Sequence, residues 1–174
     1  MNLAFEKCFD RVIGHEGNFQ DNPGDRGNWT SGKVGSGELK GTKFGISAMT
    51  YPEEDIKNLT ADRAKEIYYR DWWVKLDMGL FKPALSFQMF DAAINHGMLA
   101  ATKMLQRAVG VADDGIIGRN TKRAIDTMPL DDILMCFLAE RLDFMTYIGS
   151  WPTFGKGWAR RIALNLKLAA EDTP

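Results

Sequence analysis

Apolar residues recur at helical spacing over most of the 174-residue chain, and one stretch near its start breaks the pattern. Phe5, Phe9, Val12 and Ile13 repeat every three to four residues and predict one face of a helix. Glu16 lies three residues beyond Ile13 on the same face, which points it inward or at the edge of a cleft. From Gly17 to Gly45 the period is lost and glycine is frequent. Pro23 and the segment "GKVGSGELKGTKFGIS" predict turns and short strands in a hairpin-like lobe. Helical patterns then resume. "LTADRAKEIYYRDWW" opens with Thr60 as an N-cap, "ALSFQMFDAAINHG" sets Phe87, Phe90, Ile94 and Gly97 on one stripe, and "AATKMLQRAVG" ends at Gly110 as a C-terminal cap. Further helices are predicted at about 120–127, 130–148 and 156–170, separated by proline and glycine signals. The expected fold class is mainly α (α+β), with a small β lobe at about 17–47 inserted after the first helix.

Composition narrows the function classes. With 45% hydrophobic and 26% charged residues the chain has material for a sizeable core, and a formal net charge of -1 without a basic block argues against nucleic acid as a partner. Cys8 and Cys136 sit in apolar helical patterns and read as small buried hydrophobes. His15 and His96 are the only histidines, far apart and without Cys or acid ligands at metal spacing, so no metal and no cofactor is expected. The acidic residues of "MNLAFEKCFDRVIG" do not suit a signal peptide, and no apolar run is long enough to span a bilayer. The expectation is a soluble cytoplasmic protein, monomeric and without stable membrane insertion.

Glu16 and the loop after it carry the candidate chemistry. Cleaving a glycosidic bond needs a carboxylic acid to protonate the leaving oxygen, and usually a second carboxylate to activate water or stabilise positive charge on the sugar. A glutamate at a helix end against apolar neighbours can keep its proton, while an aspartate such as Asp25 in a polar, glycine-rich loop stays ionised. The same residues also suit a bland role, Glu16 capping its helix and Asp21, Asn22 and Asp25 making turns. Spacing alone favours that bland role.

A resemblance shifts the balance. "HEGNFQDNPGDRG" followed by "GTKFGIS" resembles the opening of glycoside hydrolase family 108, a group of phage and bacterial lysozymes. "LTADRAKEIYYRDWW" is similar to the family's middle helix, "FDAAINHGMLAATKMLQRAVGVADDGIIGRNT" to its associated peptidoglycan-binding region, and "FGKGWARRIALN" to its C-terminal helix. The resemblance implies a lysozyme-like helical bundle with a β-hairpin lobe. It implies a catalytic region over 1–80 and a helical peptidoglycan-binding-like region over 81–174, packed as one globular unit. It also implies Glu16 as the general acid. Asp25, nine residues on, resembles the aspartate of the T-even phage lysozymes, whose catalytic set is completed by a threonine. Thr30 matches that threonine by distance and Thr42 by context, since Thr42 precedes "KFGIS"; Thr42 is preferred.

Three positions depart from the family pattern: Asn18 for a glycine, Asn22 for the aspartate before Pro23, and Lys43 for the asparagine after the threonine. The segment "SGKVGSGELK" is an addition, read either as a substrate-gating flap or as a solvated insertion. Asp114 and Gly115 predict a tight turn, with Asn120 or Thr121 capping the helix that follows. Trp29, Phe44, Tyr69 and Asn95 are the substrate-binding candidates, and Trp72, Trp151 and Trp158 are assigned to packing. The resemblance thus implies an endolysin, an N-acetylmuramidase acting on peptidoglycan glycan strands with inversion. It would accumulate in a host cytoplasm and reach the wall after the membrane is permeabilised. The alternatives are a lytic transglycosylase working with Glu16 alone and a non-catalytic cell-wall-binding protein.

Overall fold

The computed structural model describes residues 3–13 and 18–173, and the chain divides into two compact units, Met1–Asp71 and Trp72–Pro174.

In the first unit, α1 (Leu3–Val12) buries Phe5, Cys8 and Phe9 at the spacing of one helix face. Those rings pack on the end of the helical stretch that begins with α2 (Ala61–Tyr68): Phe5 meets Tyr69 edge-on with centroids 5.0 Å apart, and Phe9 meets Tyr68 at 5.7 Å. At the rim, Lys65 pairs with Glu6 at 2.7 Å and with Asp10 at 3.6 Å while covering the Phe9 ring. The Thr60 hydroxyl accepts from the Arg63 N–H at 3.2 Å, the predicted N-cap of α2. Beyond Tyr68 the turns widen to a π-helical stretch, Tyr69–Val74.

The β lobe is reduced to one antiparallel hairpin, β1 (Thr42–Lys43) and β2 (Ile46–Ser47), with Thr42 opposite Ser47 and Lys43 opposite Ile46. Two isolated bridges extend it, Gln20 to Thr42 and Trp29 to Leu39. The two-residue turn Phe44–Gly45 has φ of 52° and 74°, the double left-handed geometry that matches strand twist in tight hairpins. Glycine adopts it freely; phenylalanine does not. The Tyr68 hydroxyl donates to the Phe44 carbonyl at 3.0 Å and ties the turn to α2. Ile46, Ala48, Ile56, Leu59 and Ile67 supply apolar core beneath the hairpin.

The second unit is a helical bundle around α3 (Pro83–His96), buried without interruption from Ala84 to Ala93. Helices α4 (Met98–Ala108), α6 (Leu130–Thr146) and α7 (Trp151–Asp172) pack about it, burying Leu85, Met89, Phe90, Met104, Phe137 and Ile162. The turn after α4 is centred on Gln106. Its side-chain amide N–H groups donate to Asp114 Oδ1 at 2.7 Å and the Ile116 carbonyl at 3.0 Å, while its Oε1 accepts from the Gly115 N–H at 2.7 Å.

Three local expectations are corrected. The N-cap of α5 (Arg119–Thr127) is Gly118, so Asn120 and Thr121 lie inside the helix; Thr121 is buried and its hydroxyl accepts from Gln106 Nε2 at 3.2 Å. Helix α7 starts at Trp151 rather than 156, because Pro152 occupies the first turn, where a missing N–H costs nothing, and Gly155 lies beneath the Trp151 ring. Cys136 is exposed on α6, whereas Cys8 is buried. Among the described residues, no helix is long and apolar enough to cross a membrane.

Candidate functional site

Asp25 and Thr42 come together in one polar cluster of the first unit, through two residues that sequence reasoning did not single out. Asp25 is the N-cap of a single 3-10 turn, Arg26–Asn28, where its Oδ1 accepts from the Gly27 N–H at 2.9 Å. Its Oδ2 accepts from Gln20 Nε2 at 3.3 Å. Gln20 and Asn28 form a reciprocal amide pair, Gln20 Nε2 donating to Asn28 Oδ1 at 3.1 Å and Asn28 Nδ2 donating to Gln20 Oε1 at 2.8 Å. Asn28 Oδ1 also accepts from the Thr42 hydroxyl at 2.7 Å. A continuous hydrogen-bonded path therefore runs from Asp25 through Gln20 and Asn28 to Thr42.

Asn28 is the hub of that path and is fully buried. Its second N–H donates to the Asn22 carbonyl at 3.0 Å, and its backbone carbonyl accepts from Lys40 and Gly41. Every side-chain donor of Asn28 and Gln20 is thereby used, and the set fixes both amide orientations. The backbone closes the same circuit, since Gln20 and Thr42 exchange N–H···O bonds at 3.0 and 2.8 Å. Gly41, with φ +85°, permits this approach. A Cβ there would lie 2.6 Å from both the Gln20 carbonyl oxygen and the Phe19 ring.

The arrangement leaves defined capacity for a substrate or a water. The Thr42 proton is committed to Asn28, so toward any water the hydroxyl oxygen is an acceptor. Asp25, an exposed carboxylate acceptor, is held by one backbone and one side-chain donor. Thr30 is used differently: its hydroxyl accepts from the Glu38 N–H at 2.9 Å and closes the base of the added segment. Within that segment Ser31 Oγ donates to the Ser36 carbonyl at 2.8 Å. Glu16 and His15 lie outside the described residues; on either side of them the chain is fixed by buried Ile13 and by the Gln20–Thr42 bridge.

The departures from the family pattern have local roles. Asn22 Oδ1 accepts from the Gly24 N–H at 2.9 Å, an Asx turn that any short polar acceptor satisfies. Lys43 donates to the Lys57 carbonyl at 3.2 Å and its ammonium sits 5.6 Å from the Phe44 ring centroid.

The substrate-binding candidates divide. Trp29 and Phe44 lie on the β lobe, Trp29 with its indole N–H donated to the Pro23 carbonyl at 2.9 Å. Tyr69 packs on Phe5 of α1. Asn95 belongs to the second unit, at the end of α3, where its Nδ2 donates to the Asp91 carbonyl at 2.7 Å. An acid-rich groove of about 440 Å³ also marks the first unit, lined by Phe19, Asp21, Glu38, Glu53 and Asp55 among others; neither Asp25 nor Thr42 lines it. Among the described residues, no group of three or more His, Cys, Asp or Glu is placed to hold a metal ion.

No match was found among curated proteins. Among solved structures, that of Brucella abortus SagA is similar to this chain with a TM-score of 0.80 and 30% sequence identity, over 97% of this chain and 95% of that one. The fold is mainly α and lysozyme-like, a helical bundle with a small β hairpin after the first helix. Residues 9–97 match the family described as glycosyl hydrolase 108, a span that holds the whole Asp25–Thr42 cluster. The chain belongs to glycosyl hydrolase family 108.

Proposed function

We propose that this glycoside hydrolase is an N-acetylmuramidase that cleaves the β-1,4 bond between N-acetylmuramic acid and N-acetylglucosamine in peptidoglycan. The observation that carries the reading is the path Asp25–Gln20–Asn28–Thr42 in a family 108 chain. In this mechanism Glu16 protonates the leaving glycosidic oxygen. A water donates one proton toward Asp25, the general base, and the other to the Thr42 oxygen, whose own proton is held by Asn28. Attack comes from the face opposite the leaving group and inverts the anomeric centre. The reacting atoms balance: the water oxygen bonds to the anomeric carbon, its proton passes to Asp25, and the Glu16 proton leaves with the alcohol.

Trp29 and Phe44, both on the β lobe, are the proposed sugar contacts of the first unit together with Tyr69; Asn95 is proposed separately as a substrate contact of the second unit. The helical second unit is proposed to contribute wall binding. The biological role that fits is an endolysin, monomeric, accumulating in a host cytoplasm and reaching the wall after a separate protein permeabilises the membrane.

The test is mass spectrometry of fragments released from purified peptidoglycan by the wild-type chain and by Glu16→Gln. Reducing muramic-acid ends that disappear in the variant are expected. Anhydro-muramic ends would replace the hydrolase with a transglycosylase, and no fragments at all would leave a wall-binding protein.

A further inference from the structure

The second unit carries a small cationic cavity that the cleavage mechanism does not use. It encloses about 130 Å³ and is lined by Asn95, His96, Arg141, Ile148, Trp158 and Arg161 among others. Arg141 is fully buried and pairs with Asp91 at 2.9 Å. Arg161 reaches the other oxygen of the same carboxylate at 2.7 Å, and Asn165 Nδ2 donates to it as well at 2.7 Å. Two guanidinium groups therefore share one carboxylate. His96 is the other titratable group there: its Nε2 lies 3.5 Å from an Arg141 nitrogen and its ring packs edge-on against Phe144. Burial, reinforced by Arg141, holds it neutral near neutral pH.

Among the described residues the cluster is thus one positive charge in excess, and Arg141 Nε has no hydrogen-bond partner there. Buried Arg141 is matched by Asp91, so the excess charge rests on Arg161, whose side chain is 39% exposed and has capacity for a second anion. Met145, Ile148 and Trp158 give the cavity an apolar side, beside the polar Ser150 and Asn95. Planar guanidinium groups beside a small apolar wall suit a carboxylate bearing a methyl-sized substituent, and the volume excludes a disaccharide.

We propose that this cavity binds the free C-terminal carboxylate of a short peptide ending in alanine, the kind of end that peptidoglycan stem peptides present. The proposal rests on peptidoglycan being the substrate, and it gives the second unit a specific ligand: the peptide rather than the glycan. Arg161, half-buried at the cavity wall, meets the incoming carboxylate, and the alanine methyl lies against Ile148 and Trp158.

Binding of N-acetyl-D-alanyl-D-alanine to the full chain, followed by the Trp158 indole N–H resonance, tests it. Its C-terminal amide and sodium acetate are the comparison probes. The peptide acid should shift that resonance saturably, the amide should bind at least about tenfold more weakly, and acetate alone should bind more weakly than the peptide. Arg161→Gln and, as a variant that leaves the charges in place, Ile148→Trp should each reduce affinity about tenfold or more. Equal binding of acid and amide, acetate binding as tightly as the peptide, or wild-type affinity in both variants would overturn the proposal. Fragment release from peptidoglycan by the same protein is read separately: cleavage without peptide binding removes only this site, whereas peptide binding without cleavage removes only the muramidase reading.

Discussion

The Thr42 hydroxyl gives its proton to Asn28 Oδ1 at 2.7 Å, across 14 positions of sequence and inside a fully buried polar hub. Asn28→Ala would strand the Thr42 hydroxyl, the Gln20 amide and the Asn22 carbonyl at once. It should cost about 2 kcal/mol or more of stability, because groups left without partners lose their full desolvation penalty. Gln20→Ala is the gentler cut. Gln20 is exposed, so water can enter to replace it as acceptor for Asn28 Nδ2, and its removal leaves the Thr42–Asn28 bond while releasing Asp25 Oδ2. A fall in kcat with KM nearly unchanged and a small shift in Tm is expected. Unchanged kcat in Gln20→Ala would show that the amide does not position Asp25.

Thr42 and Thr30 can be separated by one isosteric change each. Thr42→Val removes the hydroxyl bonded to Asn28 Oδ1 and should lower kcat on peptidoglycan by on the order of 10²-fold, the scale of a misplaced reacting water. Thr30→Val removes the acceptor for the Glu38 N–H and should cost about 1 kcal/mol of stability with turnover retained. The reverse pattern, measured as kcat and urea midpoint on the two variants, would move the proposed catalytic role from Thr42 to Thr30.

Phe44 is held at φ 52°, a conformation that costs a bulky residue about 1 kcal/mol or more. The bond that anchors the turn comes from Tyr68 to the Phe44 backbone carbonyl, so it survives a change of side chain. Phe44→Asn should therefore raise stability by up to about 1 kcal/mol, offset in part by the lost Lys43 contact. If the ring contacts sugar, KM for glycan should rise in the same variant. A lower Tm in Phe44→Asn would mean that the ring, not the backbone, holds the hairpin.

What was legible in the sequence follows the range of the forces involved. The α1 face, the Thr60 cap and the small β lobe depend on neighbours within a few residues, and each was readable from spacing and turn chemistry. Asn28 and Gln20 were not, because an asparagine or glutamine in a glycine-rich loop looks like turn material until Thr42 folds back beside it. The start of α7 was hidden by Pro152 and Gly155, breakers by composition that the first helical turn and the Trp151 ring accommodate. The pairing of Asp91 with Arg141 and Arg161 joins three helices of the second unit, and no local pattern announces it. Glu16 was singled out by its helical phase and by family resemblance, and it lies outside the described residues.

His96 supplies a pH-dependent term in stability whose sign can be worked out. Burial chiefly, and then the Arg141 and Arg161 guanidinium groups against the opposing pull of Asp91, lower its pKa from 6.5 to about 4. As pH falls below 6.5 the unfolded chain takes up a proton at this ring while the folded chain does not, until about pH 4. The unfolded state then binds more protons, so stability should fall as the pH drops through that window, by at most a factor of about ten in the folding equilibrium per pH unit. Asp91 contributes in a different range. Despite its burial, which raises it, Arg141 and Arg161 hold its carboxyl below the usual value of 3.8, so its contribution is lost only under more acidic conditions. Urea midpoints measured from pH 7 to pH 4 on the wild type and on His96→Gln should converge toward low pH, with the variant's curve flatter. Parallel curves would mean that His96 takes up its proton in the folded state as readily as in the unfolded chain.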